Sequence, residues 1–341
     1  MLSMSYKSDL KRLISYLNNR QILVDHRKLC EDYNQSLDFI GEVRYNSSEV
    51  FGNNRIHYGI AEFDKYRLHD RFFDDLDFDI KCQTESEEEA KYIKYLNELK
   101  LVELFDHTFK NVVLSDKKKP ANLYPKWYSD DINRHIYCKQ HNVQGLKKKF
   151  RSYIIPNNLR LASCDYSSFQ LRILAYLSQD EKLIGYCNEK DLITKLNEEI
   201  APTLGRGIFK TFLYAFLYGA MPSTLAIITK LSKEQVERIL KDFEKKFVRS
   251  MEYRASFKKK KDMNKAIRKV EADIFNTACI NVMKSGIDIA VPLHDAIVID
   301  IRDDNEISKC ISIMEQTAVN MTGIPFYAEE ETDEGEEWGT N

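Results

Sequence analysis

This 341-residue sequence predicts an α+β fold, and three stretches carry the prediction. Residues 159–164 are mostly apolar and lack a helix-start signal, so they read as a short buried strand that delivers Asp165 at its C-terminal end. From Phe169 the period changes: Phe169, Leu171, Ile173, Leu174 and Leu177 share one broad helical face, with Ser167 or Ser168 available as N-cap. Further on, residues 205–220 (GRGIFKTFLYAFLYGA) read as an amphipathic helix ended by Gly219, and residues 287–301 (IDIAVPLHDAIVIDI) as a β-hairpin whose turn exposes His294 and Asp295.

Composition sets the frame for these elements. An apolar fraction of 43% with 30% charged residues is ordinary for a globular chain, and the length allows one large core or two modest ones. Nowhere do about 18 uncharged apolar residues follow one another, which argues against a membrane span. The charges scattered through MLSMSYKSDLKRLISYL argue against a secretory signal. The seven cysteines are odd in number, widely spaced and never in a CxxC or zinc-finger pattern, so reduced thiols in a cytoplasmic compartment are expected. The formal net charge of −2 hides segregation. Lys147, Lys148, Lys149 and Arg151 form one basic cluster and residues 245–269 a second, whereas residues 85–89 and 329–337 are acidic. Such basic blocks are usually solvated helix faces; two of them around one site also suit a polyanionic partner.

The leading part, residues 1–119, reads as helices and loops. Leu10, Leu13, Ile14 and Leu17 form an apolar stripe, and residues 87–105 an amphipathic helix with an acidic start. The aspartates of FDDLDFDIK (residues 73–81) suggest metal ligation, but no histidine or second acidic cluster stands at a matching spacing, and a solvated loop or edge strand is expected instead. A turn-rich stretch at residues 116–129 marks the boundary, dividing the chain at about residue 125.

Chemistry concentrates after that boundary. A strand that ends in an acid and turns straight into a helix holds the acid on a rigid rim, which suits a metal-bound carboxylate. On the 205–220 helix, Arg206, Lys210, Tyr214 and Tyr218 recur every four residues and line one stripe. Two cations followed by two aromatics would bind a polyphosphate at one end and stack a flat ring at the other, although the same pattern fits an ordinary amphipathic helix. An aspartate beside a histidine at a tight turn needs a partner, a structural salt link being the simplest.

Taken in order, DYSxxxLRILAxLSxD, RxxxKxxxYxxxYG and LHDAIVI resemble motifs A, B and C of the A-family DNA polymerases. NVQGLKKKFRSYIIP is similar to the segment before motif A, and MTGIPFYAEEETDEGEEW to that family's ending, so the resemblance covers about residues 131–338. It implies a right-hand polymerase with an antiparallel palm sheet in residues 126–341, helical fingers at about 180–270, and a reduced, mostly helical thumb in residues 1–125. It implies a DNA-directed DNA polymerase without a proofreading exonuclease, working on a DNA primer-template with deoxynucleoside triphosphates. Asp165, Asp295 and the Tyr166 carbonyl would hold two magnesium ions, for which manganese could substitute. Arg206 and Lys210 would grip the triphosphate, Lys210 protonating the leaving pyrophosphate, while Tyr214 and Tyr218 bound the incoming base. His294, Arg268, Asn276, Gln144, Lys147, Lys148, Lys149 and Arg151 would contact nucleic acid, and the leading residues a replication or repair partner.

Several positions depart from the family's pattern. Gln170 stands where the family usually has a glutamate that excludes the ribose 2′-hydroxyl, and Ala296 where motif C usually has a third, acidic residue. Tyr214 replaces a phenylalanine beside the sugar, which goes with tolerance of sugars lacking a 3′-hydroxyl. The span from Asn276 to His294 is short, and the upstream glycine-arginine segment is not recognisable. A primase or single-subunit RNA polymerase using ribonucleotides shares the R, K, YG and HD elements and is the rival enzyme; a non-catalytic nucleic-acid-binding relic is the rival of another class.

Overall fold

The computed structural model describes residues 4–50, 121–130, 134–146, 151–258 and 260–331. The sequence readings at residues 73–81, 87–105 and 147–149 lie outside them. The chain divides into two compact units, Met1–Leu23 with Leu123–Asn341, and Val24–Asn122. Of the second unit, helix α2 (His26–Val50) is described; Asp25 starts it by accepting the Lys28 N–H at 3.0 Å.

The first unit opens with α1 (Met4–Asn19) and β1 (Ile22–Val24). Leu13 and Leu17, half of the predicted stripe, are fully buried, and α1 belongs to the same unit as the sheet described below. After β2 (Ala121–Leu123), strands β3 (Trp127–Ser129) and β4 (Ile136–Cys138) pair antiparallel, Trp127 opposite Cys138. A 3-10 turn (Val143–Gly145) and β5 (Ile154–Ile155) lead into β6 (Arg160–Tyr166), the strand expected to carry Asp165.

Six of the helices that follow, from α4 to α9, make up the helical lobe. They run after α3 (Phe169–Ser178) as α4 (Glu181–Tyr186), α5 (Leu192–Ile200), α6 (Arg206–Leu217), α7 (Pro222–Thr229), α8 (Lys233–Lys246) and α9 (Val248–Ala255). Four of the starts have a local reason: Asp180 and Asp191 cap α4 and α5, Pro222 opens α7, and Ser232 with Gln235 closes a capping box on α8. An aromatic knot of Phe216, Phe243 and Phe247, with centroids 5.8 and 4.8 Å apart, joins α6 to α8. Arg254 pins the end of α6, donating to the Phe216 carbonyl at 3.1 Å and stacking over its ring. Gly219 then takes φ 98°, which a side chain would resist.

The chain returns through the long helix α10 (Lys260–Lys284) to β7 (Ile289–Pro292), β8 (Ala296–Ile301), α11 (Asn305–Thr322) and β9 (Ala328–Glu330). These strands and β6 form one antiparallel sheet in the order β7-β8-β6-β9. The proline at the end of β7 is tolerated because that strand is an edge. Helices α10 and α11 pack against each other, and α11 covers β6, so the strand carrying Asp165 is held by neighbours on both sides and by a helix on one face. The α+β prediction therefore holds, down to the 287–301 hairpin and its exposed His294 and Asp295.

One local expectation is corrected. Ser168 stands at the N-cap position of α3, yet it adopts a left-handed backbone (φ 54°) and its side chain makes no capping bond. The turn is held from elsewhere. The Ser167 N–H donates to Tyr327 O at 2.8 Å, and the buried Arg172 donates to the carbonyls of Ser167, Cys187, Glu189, Lys190 and Pro325. A strained non-glycine residue a few positions from an acid, braced by a buried arginine, is what a functional rim requires.

Candidate active site

Strand pairing brings the two predicted aspartates together. Asp165 lies opposite Ala296, and the Tyr166 N–H donates to the carbonyl of Asp295 at 3.1 Å, so Asp295, at the turn just before β8, lies beside Asp165 near the end of β6. Asp165 Oδ1 is buried and accepts no hydrogen bond. Burial drives its carboxyl well above the usual range, the charges of Asp295, Glu331 and Glu329 push the same way, and Lys210 opposes them. A buried carboxylate with an unsatisfied oxygen beside other acids fits a divalent cation, which would offset both penalties. Among the described residues no group of three or more His, Cys, Asp or Glu forms a ready-made cage. That suits magnesium, which takes one or two carboxylates and completes its shell with substrate phosphate and water oxygens.

The Tyr166 ring stacks on Phe169 at 4.3 Å and its hydroxyl donates to Met314 O at 2.7 Å. Its side chain thus belongs to the core, and its backbone is the part that borders the acids.

On α6 the four stripe residues each meet groups of other elements. Lys210 is exposed and its charge reaches Asp165. Burial raises the Tyr214 phenol, with Tyr218, Asp295, Asp165 and Glu271 adding to the effect, so this ring borders the acids. The Tyr218 hydroxyl bonds Gln170 Oε1, and Gln170 Nε2 donates to Glu271 at 3.2 Å. Arg206 is turned to Asp191, which caps α5.

The nucleic-acid contacts expected from sequence divide. His294 is exposed at the hairpin turn, its ring edge-on to that of His135 with centroids 5.8 Å apart. Burial, with the nearby His294 and Arg268 charges, lowers the His135 pKa to about 4, so this ring stays neutral at physiological pH. Arg268 is exposed, and its backbone bonds the His135 ring. Asn276 is a correction: it is fully buried, and its Nδ2 donates to Arg134 O at 2.7 Å and to the Tyr6 hydroxyl at 3.3 Å. It braces α10 against the 134–136 segment instead of facing a ligand. Gln144 ties the 3-10 turn to β4 and β7, donating to Ile136 O and Pro292 O at 2.9 and 3.1 Å. Arg151 is also corrected, being an ion-pair partner of Glu331 at 3.2 Å with its side chain 14% exposed. Lys147, Lys148 and Lys149 lie outside the described residues. In the second basic block, Lys246, Arg249 and Arg254 serve the packing of the helical lobe, pairing with Glu199, Glu181 and Phe216. Lys245, Lys265, Arg268 and Lys269 remain exposed.

Several residues of the site were not anticipated. Glu329 stands opposite Asp165 on β9, and Glu331 follows, its N–H donating to Ser163 O. The signal was the alternation of Phe326 and Ala328 with polar residues, which marks a strand, but the acidic run around it reads as a solvated tail. Glu271, Asp191 and His135 carry no motif at all.

Residues 140–270 match the family model described as DNA polymerase family A. This stretch is an A-family DNA polymerase region. The chain is 28% identical to DNA polymerase I of Borreliella burgdorferi over 60% of its own length and 27% of that protein, and 30% identical to DNA polymerase theta of Caenorhabditis elegans over 30% of its length and 7% of that protein. It therefore spans about a quarter of the polymerase I it matches. The POL domain of Pol1 from M. smegmatis, solved with DNA primer-template and dNTP, shares its fold. The two superpose with a TM-score of 0.65 at 17% identity over 97% of this chain and 70% of that one. No described helix is long and apolar enough to cross a membrane, and the six described cysteines are free thiols.

Proposed function

We propose that this chain extends a DNA primer along its template, adding deoxynucleotides from their triphosphates and releasing pyrophosphate. The observation that carries the reading is the juxtaposition of Asp165 on β6 with Asp295 at the turn before β8, one Asp165 oxygen buried and unsatisfied and the Lys210 charge reaching that acid. Asp165 and Asp295, with the Tyr166 carbonyl, would hold two magnesium ions, manganese being able to substitute. Magnesium there would lower the pKa of the primer 3′-hydroxyl and neutralise charge on the transferred phosphate.

The protein's own groups do the rest. Lys210 binds the triphosphate and gives a proton to the departing pyrophosphate. Arg206 binds the same phosphates after leaving Asp191. Tyr214 and Tyr218 offer aromatic surface to the incoming base, and Gln170, bonded to Tyr218, lies beneath the sugar. His294 and Arg268 face the primer end, and the exposed lysines of residues 245–269 neutralise backbone phosphates, which makes binding fall steeply with salt. The primer-template and dNTP held by the structurally similar Pol1 domain support these partners. The proposal includes no editing step.

Primer extension tests it. The full chain with magnesium, a primed template and deoxynucleotides is expected to lengthen the primer and to leave a mismatched 3′ end uncut. Asp165→Ala and Asp295→Ala are expected to lose extension while retaining DNA binding in a mobility assay. Extension by either variant would overturn the roles assigned. Products from ribonucleotides, or without a primer, would favour the primase-like reading to which Gln170 gives some support.

A further inference from the structure

Gln170 joins three helices through one amide. Its Oε1 accepts the Tyr218 hydroxyl from the end of α6, and its Nε2 donates to Glu271 Oε2 on α10 at 3.2 Å. Glu271 is 4% exposed, and an acid so deeply placed is rare without a specific task. An amide has a donor end and an acceptor end, whereas an ionised carboxylate only accepts. Glu271 therefore takes the NH2 end, Tyr218 takes the carbonyl end, and the amide has one orientation that satisfies both.

We propose that Glu271 is a positioning residue for sugar selection: it locks Gln170 so that the side chain beneath the incoming sugar cannot turn to accommodate a 2′-hydroxyl. This rests on the polymerase reading above. A ribose hydroxyl arriving there meets an amide whose facing groups are already bonded, and it loses its water without gaining a partner. The same pair accounts for the residue type at 170. A glutamate there would set two acceptor-only carboxylates against each other in a shielded place, and like charges so close cannot both ionise without cost. With an amide at 170 the negative charge sits one residue further from the sugar, on α10.

Competing deoxy- and ribonucleotides in primer extension by the full chain test the idea, read as the ratio of kcat/KM for the two sugars. Glu271→Ala is expected to lower that ratio about tenfold, the effect of losing one buried hydrogen bond. Gln170→Glu alone is expected to disturb it as well. The exchanged pair, Gln170→Glu with Glu271→Gln, is expected to restore it, because the amide moved to position 271 would then donate to the carboxylate moved to position 170. Thermal melts establish that each variant is folded, and the exchanged pair decides the matter if Glu271→Ala is not. An unchanged ratio in folded Glu271→Ala, an equal loss on both sugars, or an exchanged pair no better than Gln170→Glu overturns the proposal. Failure of the unaltered chain to extend a primer overturns instead the reading on which it rests.

Discussion

Asp191 holds Arg206 in a two-point fork, with Nε 2.8 Å from Oδ2 and Nη2 3.1 Å from Oδ1. The Thr194 hydroxyl adds a third contact at 3.0 Å. A guanidinium expected to bind a triphosphate thus has a carboxylate as its resting partner. Burial works against the Asp191 carboxylate, but Arg206 and Thr194 outweigh it and hold its pKa down to about 2. A depressed acid contributes its stabilisation above its unfolded pKa, about 3.9, and loses it as pH falls through about 2, so the fork does not titrate near neutrality.

Asp191→Asn is expected to lower the KM for deoxynucleotides by up to about fivefold, since exposed pairs of this kind are worth ~0.2–1 kcal/mol. Asparagine caps α5 as well as aspartate does, so the helix start is preserved. Steady-state kinetics at low and high salt check this, and the gain should shrink as salt rises.

Metal-free protein carries a strained acid. Because the Asp165 carboxyl is raised by burial and by Asp295, its ionisation costs stability once pH rises above its unfolded value, and that cost is fully present above its folded value. Asp165→Asn is therefore expected to raise Tm in EDTA at neutral pH by roughly 2–4 °C, the shift that about 1 kcal/mol produces in a domain of this size. Magnesium should raise the Tm of the unaltered protein and leave that of the variant nearly unchanged. Calorimetry with and without the ion checks both.

Arg172 is fully buried and donates to five carbonyls. Arg172→Met keeps much of the volume and leaves those acceptors stranded, which should cost about 3 kcal/mol or more in urea denaturation. The left-handed turn at Ser168 would relax with it, and extension should fall further than the loss of folded protein explains.

Arg20 reaches Asp288 at 3.0 Å and Asp300 at 2.6 Å, with the Asp300 side chain 1% exposed. Removing the cation by Arg20→Ala leaves the buried Asp300 charge to the Asn157 and Asn158 N–H groups at 2.8 and 3.0 Å, and a loss of about 3 kcal/mol is expected. Truncating α1 should cost at least as much, because Tyr16 also bonds Asp288 and Ile289 from that helix. Urea melts of both variants check this.

The strand that carries Asp165, the α6 helix and the 287–301 hairpin were legible because each is a local pattern: a change of period, a four-residue repeat, apolar flanks around a turn. The cap at Ser168 was not, because the bracing comes from Arg172 and Tyr327, residues whose approach no local pattern announces. Asn276 and Arg151 differ from expectation for a related reason. Both polar types fit a binding surface, and only packing shows that one is sealed beneath α1 and the other paired to Glu331. Glu271, Glu329 and Asp191 escape a reading of the sequence because their meaning lies in partners distant along the chain.

The sheet order has a consequence for synthesis of the protein. Asp165 sits on a central strand whose two neighbours, residues 296–301 and 328–330, both leave the ribosome well after it. A nascent chain that already displays the first acid has neither its companion nor the strands that brace it, and such long-range pairings form slowly. On the proposed polymerase reading, capture of magnesium and of nucleotide should therefore switch on together, once residues 295–301 have joined the strand that carries Asp165.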